Sequence, residues 1–307
     1  MKEKIIEVHN LTKRYKDIIA VDCVSFDVYR GEIFSLVGPN GAGKTTTVEI
    51  LECLRSPTTG TAQVLGYDVS TDESDIKPRI GIMPQDFNAF ERLSVTENVN
   101  LIAKIYGSHP DLISLFKEVG VWEARDQRFE SLSGGMKRRV GICMALACDP
   151  ELLFLDEPTT GLDPQARKET WEVIENLRSM EKTIVLTSHY MEEVEYLSDR
   201  AGVMVDGNIM TADSVDTLIS QYGGGIKVKV TPNGKEIEEM LTQYTDSLVH
   251  HQDGITGIFQ TRKHASKVLA SLYQHGDRYT IDISEPGMDD VFNNLAGGKL
   301  NERGELI

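Results

Sequence analysis

The sequence predicts an α/β protein with a second, smaller α+β unit at its C-terminal end. Three observations carry this. Short apolar runs at 33–37, 79–83, 152–155, 183–187 and 201–205 have the length and composition of buried strands, and most are separated by helical segments. A turn-forming run, Gly38-Pro39-Asn40-Gly41, joins the first of them to a stretch with helical spacing. Three adjacent glycines, 223–225, mark a linker, because ordering them inside an element costs backbone entropy.

Taken in order, the alternating runs 5–9 and 25–28 read as strands ahead of strand 33–37. From Lys44 to Leu54 there is no Gly or Pro, and Val48, Leu51 and Leu54 recur at helical spacing, so a helix follows the glycine loop. The block 86–150 reads as a helical insertion, clearest at 97–105, 112–119 and 134–147. Past the glycines come a strand (226–231), a helix (235–244), two strands (247–251 and 255–261), a helix (265–275), a strand (278–284) and a helix (288–296). That βαββαβ order predicts a ferredoxin-like unit. The domains expected are therefore 1–222 and 226–307, joined by 223–225.

Composition narrows the function classes. The chain has 307 residues, 40% apolar and 26% charged, within the globular range. Its formal charge of −16 repels a phosphate backbone, which argues against nucleic acid as a partner. The longest apolar run, 140–148, falls well short of the roughly 20 residues that span a bilayer. The start, MKEKIIEVHN, lacks the apolar core of a secretory signal, and the chain reads as cytosolic. Four cysteines without a C-x-x-C pair, set among apolar neighbours, read as buried thiols of a reducing compartment.

Residues 38–45, GPNGAGKT, match the phosphate-loop pattern between a strand and a helix. Gly38, Asn40, Gly41, Ala42, Gly43 and Thr46 surround the phosphates with backbone N–H groups, and Pro39, which has none, shapes the same loop. Lys44 brings a point charge to the β/γ oxygens, and Thr45 offers a hydroxyl to Mg²⁺. The start of the following helix adds its dipole. Further on, the apolar run 152–155 ends in Asp156-Glu157. Asp156 is placed to hold the Mg²⁺ sphere, and Glu157, pointing the other way, to act on the attacking water. A third motif, Leu132-Ser133-Gly134-Gly135-Met136, ends 20 residues before Asp156.

With these three motifs in order, the chain resembles the nucleotide-binding subunits of ATP-binding cassette (ABC) transporters over roughly residues 4–222. Tyr15 stands where the family stacks an aromatic ring on adenine, Gln85 where its Q-loop glutamine reaches the metal, and Gly161-Leu162-Asp163 where its D-loop runs. His189 takes the switch-histidine position. Two departures are a Met136 in place of a glutamine and Thr160-Gly161 where Ser-Ala is common. The resemblance implies a P-loop ABC ATPase core with an antiparallel β subdomain and a helical insertion, binding ATP and Mg²⁺, with Glu157 and His189 catalytic. It also implies a homodimer, or a pair with another ATPase subunit, in which Ser133, Gly134 and Gly135 complete the partner's site.

The interval of 89 residues from Lys44 to Ser133 is too short for the coiled-coil arms of DNA-repair relatives, and a single cassette differs from translation-associated members. A separate membrane permease is then the expected partner, which would hold the chain at the cytoplasmic face of the membrane. The block after Gln85, with Phe87, Phe90 and Leu93, is either its docking surface or core. Glu285-Pro286-Gly287-Met288-Asp289-Asp290-Val291-Phe292 is similar to the ending of drug- and antibiotic-export subunits, whose permeases are of the ABC-2 type. It is equally a helix N-terminus with acidic residues in its first turn. A nucleotide-gated switch with negligible turnover is the competing reading, and Glu157 and His189 argue against it. Lys137-Arg138-Arg139 reads as a solvated or ion-paired face, and the remaining histidines lack metal-ligand spacing.

Overall fold

The computed structural model describes residues 2–245, 247–274, 278–298, 300–301 and 304–306. The chain divides into two units, residues 1–215 with 300–307, and residues 216–299.

The first unit runs β1 (Lys4–Tyr15), β2 (Ile18–Tyr29), β3 (Ile33–Val37), α1 (Lys44–Leu51), β4 (Thr59–Val64), β5 (Tyr67–Asp68), α2 (Glu73–Ile76) and β6 (Ile80–Met83). The helical block follows with α3 (Val95–Tyr106), α4 (Leu112–Glu118) and α5 (Gly134–Leu146). The chain then returns through β7 (Leu152–Asp156), α6 (Pro164–Ser179), β8 (Thr183–Ser188), α7 (Met191–Leu197), β9 (Arg200–Val205) and β10 (Asn208–Ser214).

Two sheets result. An antiparallel sheet is ordered β2-β1-β4-β5, and a six-stranded sheet β10-β9-β3-β8-β7-β6 is parallel except for its edge strand β10. Every residue of β3, β7 and β8 is buried, because elements cover both faces. The period-2 alternation of each strand then splits its side chains between two cores. Phe34, Leu36, Leu152, Phe154 and Val185 join Val48, Ile50 and Leu51 of α1 and the antiparallel sheet, with Phe26 stacked on Phe34 at 5.2 Å. Ile33, Leu153, Leu155, Ile184 and Leu186 face the opposite way, onto α5, α6 and the helical block. Each such fully buried side chain contributes roughly 1.5–3 kcal/mol relative to exposure.

Local signals set the helix ends. Ser94 and Glu97 form a reciprocal capping box at the start of α3, which stops at Gly107 in the left-handed conformation. Phe87 packs edge-on against Phe129 and joins the helical core, Leu93 is half-buried, and Phe90 is 62% exposed. Lys137 lies over the Phe129 ring, Arg138 donates to the Gln85 carbonyl and Arg139 pairs with Glu169, so the basic run is spent inside the protein. Of the four cysteines, Cys53 and Cys143 are buried, whereas Cys23 is exposed at a positive-φ position in β2. The expectation of uniformly buried thiols fails there, because the strand's outer face is solvated.

The second unit holds most of α8 (Val215–Tyr222), then β11 (Ile226–Thr231), α9 (Lys235–Thr242), β12 (Leu248–His250), β13 (Ile255–Phe259), α10 (Arg262–Gln274), β14 (Thr280–Ser284) and α11 (Met288–Ala296). Its antiparallel sheet, β12-β13-β11-β14, places the two helix-connected outer strands on either side of the β11–β13 pair. Val228, Val230, Ile237, Leu241, Phe259 and Val268 fill its core.

Two boundaries differ from those read in the sequence. The division falls at Val215/Asp216 and not at the glycines, because the stretch before them is tied into the second unit. Asn294 donates to the Tyr222 carbonyl, and Gly223 lies so close to Pro286 that a β-carbon would come within 2.8 Å. The described residues 300–301 and 304–306 belong with the first unit and not with the C-terminal domain.

Candidate active site

The alternation that divides β7 between two cores also aims its end. Leu152 and Phe154 face the α1 side, so Asp156 falls on that side too, and its Oδ2 stands 3.4 Å from the Thr45 hydroxyl at the start of α1. Thr187 pairs with Asp156 across the parallel ladder and donates its hydroxyl to Oδ1. Burial pushes the Asp156 carboxyl above its usual range against the Thr187 bond, and the neighbouring Glu157 adds to the rise. A cation at Thr45 and Asp156 would reverse that effect. Two hard oxygens suit Mg²⁺, which keeps waters and phosphate oxygens as its remaining ligands. Among the described residues no group of three or more His, Cys, Asp or Glu forms a closed metal cage.

The phosphate loop sits in front of this pair. A β-carbon at Gly38 (φ +157°) would lie 2.0 Å from the Met204 carbonyl, and one at Gly43 (φ +100°) 2.2 Å from the Ala20 carbonyl. Only glycine fits, because the loop is pressed between β9 and β2. Lys44 is buried and its Nζ donates to the carbonyls of Gly38 (2.7 Å) and Pro39 (3.0 Å). Burial lowers its pKa, while Glu157 and Asp156 act in the opposite sense.

Glu157 follows β7 at φ +46°, a left-handed conformation that costs a non-glycine residue about 1–3 kcal/mol. It is held there by its N–H, which donates to the Thr187 hydroxyl at 3.0 Å. Its Oε2 accepts from Thr160 (2.9 Å) and Gln85 (3.1 Å), and its Oε1 lies 3.2 Å from His189 Nδ1. Burial raises this carboxyl, but the His189 contact, the Thr160 bond and the Lys44 charge outweigh it and hold the pKa below the usual value. Glu157 is thus ionised and oriented, as a general base requires. His189 is 4% exposed, its ring lies against Tyr190, and with Nδ1 beside Glu157 its Nε2 has no hydrogen-bond partner among the described residues. A buried nitrogen without a partner at such a place suits a polar ligand.

Not all the predicted residues meet here. Gln85, expected at the metal, donates to Glu157 instead. It follows β6, whose neighbour is β7, and the carboxylate it reaches is the one beyond the strand end. Ser133 caps α5 by accepting from the Met136 N–H at 3.3 Å. Gly134 and Gly135 pack on Leu162 and Ala166, and a β-carbon at Gly135 would come within 2.8 Å of Ala166 Cβ. These groups serve α6 and the loop before it, where Asp163 caps the helix. Tyr15 is the last residue of β1, half-buried, with Lys13 and Arg55 over its ring at 5.1 and 5.7 Å.

The sequence reading missed three residues of this centre. Thr187 and Thr160 position the two acids. Glu193, in α7, is 1% exposed, and its Oε1 accepts from Thr159 (2.6 Å) and Trp171 (2.9 Å), tying the loop after Glu157 to α6 and to the helix after His189. Only the Asp156–Thr187 register would have revealed the first, and register is not written in a single strand.

Residues 21–160 match the family described as ABC transporter. The chain is 34% identical over 313 residues to the linearmycin resistance ATP-binding protein LnrL of Bacillus subtilis, covering 97% of this chain and 100% of that protein. The chain belongs to the ATP-binding cassette family. It is 30% identical to the daunorubicin/doxorubicin resistance ATP-binding protein DrrA of Streptomyces peucetius, with 98% and 94% of the two chains covered. With the Nod factor export ATP-binding protein I of Burkholderia lata it shares 39% identity, over 97% of this chain and 98% of that one. Among solved structures, a dimeric ATP-binding cassette in a post-hydrolysis state with ADP and Pi superposes with a TM-score of 0.62 at 26% identity, covering 68% of this chain and 98% of that one. The ATP-binding subunit of an ABC transporter superposes at 0.64 with 28% identity, covering 71% and 93%. The cassette is an ATPase, and Asp156, Glu157 and His189 stand around its phosphate loop accordingly.

Proposed function

We propose that this ATPase powers export through a separate membrane permease of the ABC-2 type, as one half of a dimer that closes on ATP. The observation that carries the reading is the Glu157 cluster. An ionised, oriented carboxylate and a buried histidine with its Nε2 unpartnered among the described residues face a phosphate loop, the arrangement that activates a water toward a terminal phosphate. Glu157 accepts the proton of the attacking water as its oxygen bonds to the γ-phosphorus. The β–γ bridging bond breaks, and ADP leaves with its electron pair. Lys44 and His189 hold the γ-phosphoryl oxygens, and Tyr15 takes the adenine. Thr45 and Asp156 would hold Mg²⁺, which when bound would neutralise charge on the phosphates.

Ser133 supports a dimer, since in this chain it only caps α5, and the start of a 13-residue helix is an anion site available to another copy's nucleotide. An apolar groove of about 210 Å³, lined by Ile80, Ile82, Phe87, Ile102, Tyr106 and Met144, adjoins the Gln85 loop and suits a docking segment of the permease. Among the described residues no helix is long and apolar enough to cross a membrane, so the pathway comes from another chain, with this one at its cytoplasmic face. The resistance and export names of the relatives support the outward direction.

The test is association followed by light scattering in Mg²⁺ and ATP, wild type against Glu157→Gln. Trapped dimers in the variant, with hydrolysis lowered by about 10²–10⁴-fold, are expected. Hydrolysis in the variant equal to wild type refutes the role given to Glu157.

A further inference from the structure

The described residues 300–301 and 304–306, which lie beyond the second unit in sequence, belong with the first unit, and their contacts there are specific. Leu300 and Leu306 form an antiparallel bridge. Between them Asn301 fastens a turn. Its N–H donates to the Glu305 carbonyl at 3.0 Å, its side-chain amide donates to the Glu305 carboxylate at 2.8 Å, and its Oδ1 accepts from the Glu305 N–H at 3.0 Å. Gly304 closes the turn at φ +73° with its N–H on the Asn301 carbonyl at 2.9 Å.

Gly304 touches the nucleotide site on two sides. Its carbonyl accepts from the N–H of Asn40, in the phosphate loop, at 2.7 Å. Its Cα lies on the switch histidine so closely that a β-carbon would come within 2.9 Å of His189 Cγ and 3.1 Å of His189 Cβ. The phosphate loop and the Glu157–His189 pair bracket the place of a terminal phosphate, so one residue of the tail covers both walls of it.

We propose that the C-terminal segment is an internal occupant of the nucleotide site, its Gly304 carbonyl taking the Asn40 N–H that a phosphate oxygen needs and its backbone closing the His189 face. A nucleotide with a third phosphate must displace it, whereas ADP leaves it in place. This inference rests on the nucleotide-facing roles given to Asn40 and His189 above. Docking lowers the fraction of chains competent for ATP, and the apparent affinity falls by that fraction. One ordinary hydrogen bond and a small contact correspond to about a three- to tenfold effect.

The experiment uses the full chain with Mg²⁺ and two fluorescent probes, an ADP derivative and a non-hydrolysable ATP analogue. Gly304→Val is the primary variant, because a β-branched residue resists φ +73° and its side chain meets His189. Asn301→Ala loosens the turn without touching the site and serves as the second. Both are expected to bind the ATP analogue about three- to tenfold more tightly, with ADP affinity within twofold of wild type. Unchanged affinity for the ATP analogue in both variants, weaker binding of it, or equal tightening for the two nucleotides overturns the proposal. Wild-type chain that binds neither probe would instead overturn the nucleotide-site reading on which it rests.

Discussion

Replacing Glu52 by glutamine isolates the cost of a buried acid near Asp156. Glu52 caps the C-terminal end of α1, is 5% exposed, and lies near enough to Asp156 for the two charges to oppose each other. Burial pushes its pKa from 4.5 up to about 8. The folded chain therefore keeps a proton that the unfolded chain gives up. The associated stability is complete below pH 4.5, declines as the pH rises and is fully lost above about 8. At about 1.36 kcal/mol per pH unit, the loss reaches roughly 2 kcal/mol by pH 6 and roughly 5 kcal/mol by pH 9. Glutamine has the shape of the protonated acid and does not ionise. Glu52→Gln should then gain roughly 3 kcal/mol over wild type between pH 6 and pH 9, a midpoint shift on the order of 1 M urea. Both tryptophans, Trp122 and Trp171, lie in the first unit, so fluorescence-monitored urea unfolding at the two pH values reads the relevant part of the chain. An equal difference between variant and wild type at both values would refute the buried-acid account.

Lys44→Ala should abolish measurable nucleotide binding while leaving the melting temperature unchanged or higher, since it removes a cation whose charged form burial already disfavours. Titration with a fluorescent nucleotide and a thermal melt check the two halves. Trp171→Phe removes one of the two donors to Glu193 Oε1 inside a fully buried pocket and should cost about 1–3 kcal/mol in denaturation. Adding Glu193→Gln should recover part of that loss, because an amide needs fewer donors than a carboxylate.

Much of this was legible in the sequence because it depends on local chemistry. GPNGAGKT can be read from its letters, since each glycine answers a local demand on backbone conformation or approach and Lys44 begins the helix that the loop feeds. The apolar run ending at Asp156 announces a buried strand with an acid at its tip, and the structure has that strand with all five residues buried. The βαββαβ order beyond the glycines likewise follows from period and turn residues, and those elements are present. Element ends were less legible. β1 and β2 extend to 12 residues each, well past the apolar alternation that first marked them, because pairing along the whole hairpin carries the polar residues with it.

The sequence by itself determined the phosphate loop, the two acids and the signature serine, and with them the class of protein, since residue type and spacing encode those motifs along one stretch of chain. Only the tertiary structure decided which side chain meets which. Gln85 reaches Glu157 from a separate loop, Thr187 reaches Asp156 from a neighbouring strand, and Gly304 settles between Asn40 and His189 from late in the chain. These contacts join residues tens to hundreds of positions apart, whose partners are chosen by strand register and by packing around two shared cores. Neither register nor packing leaves a local mark in the order of the amino acids.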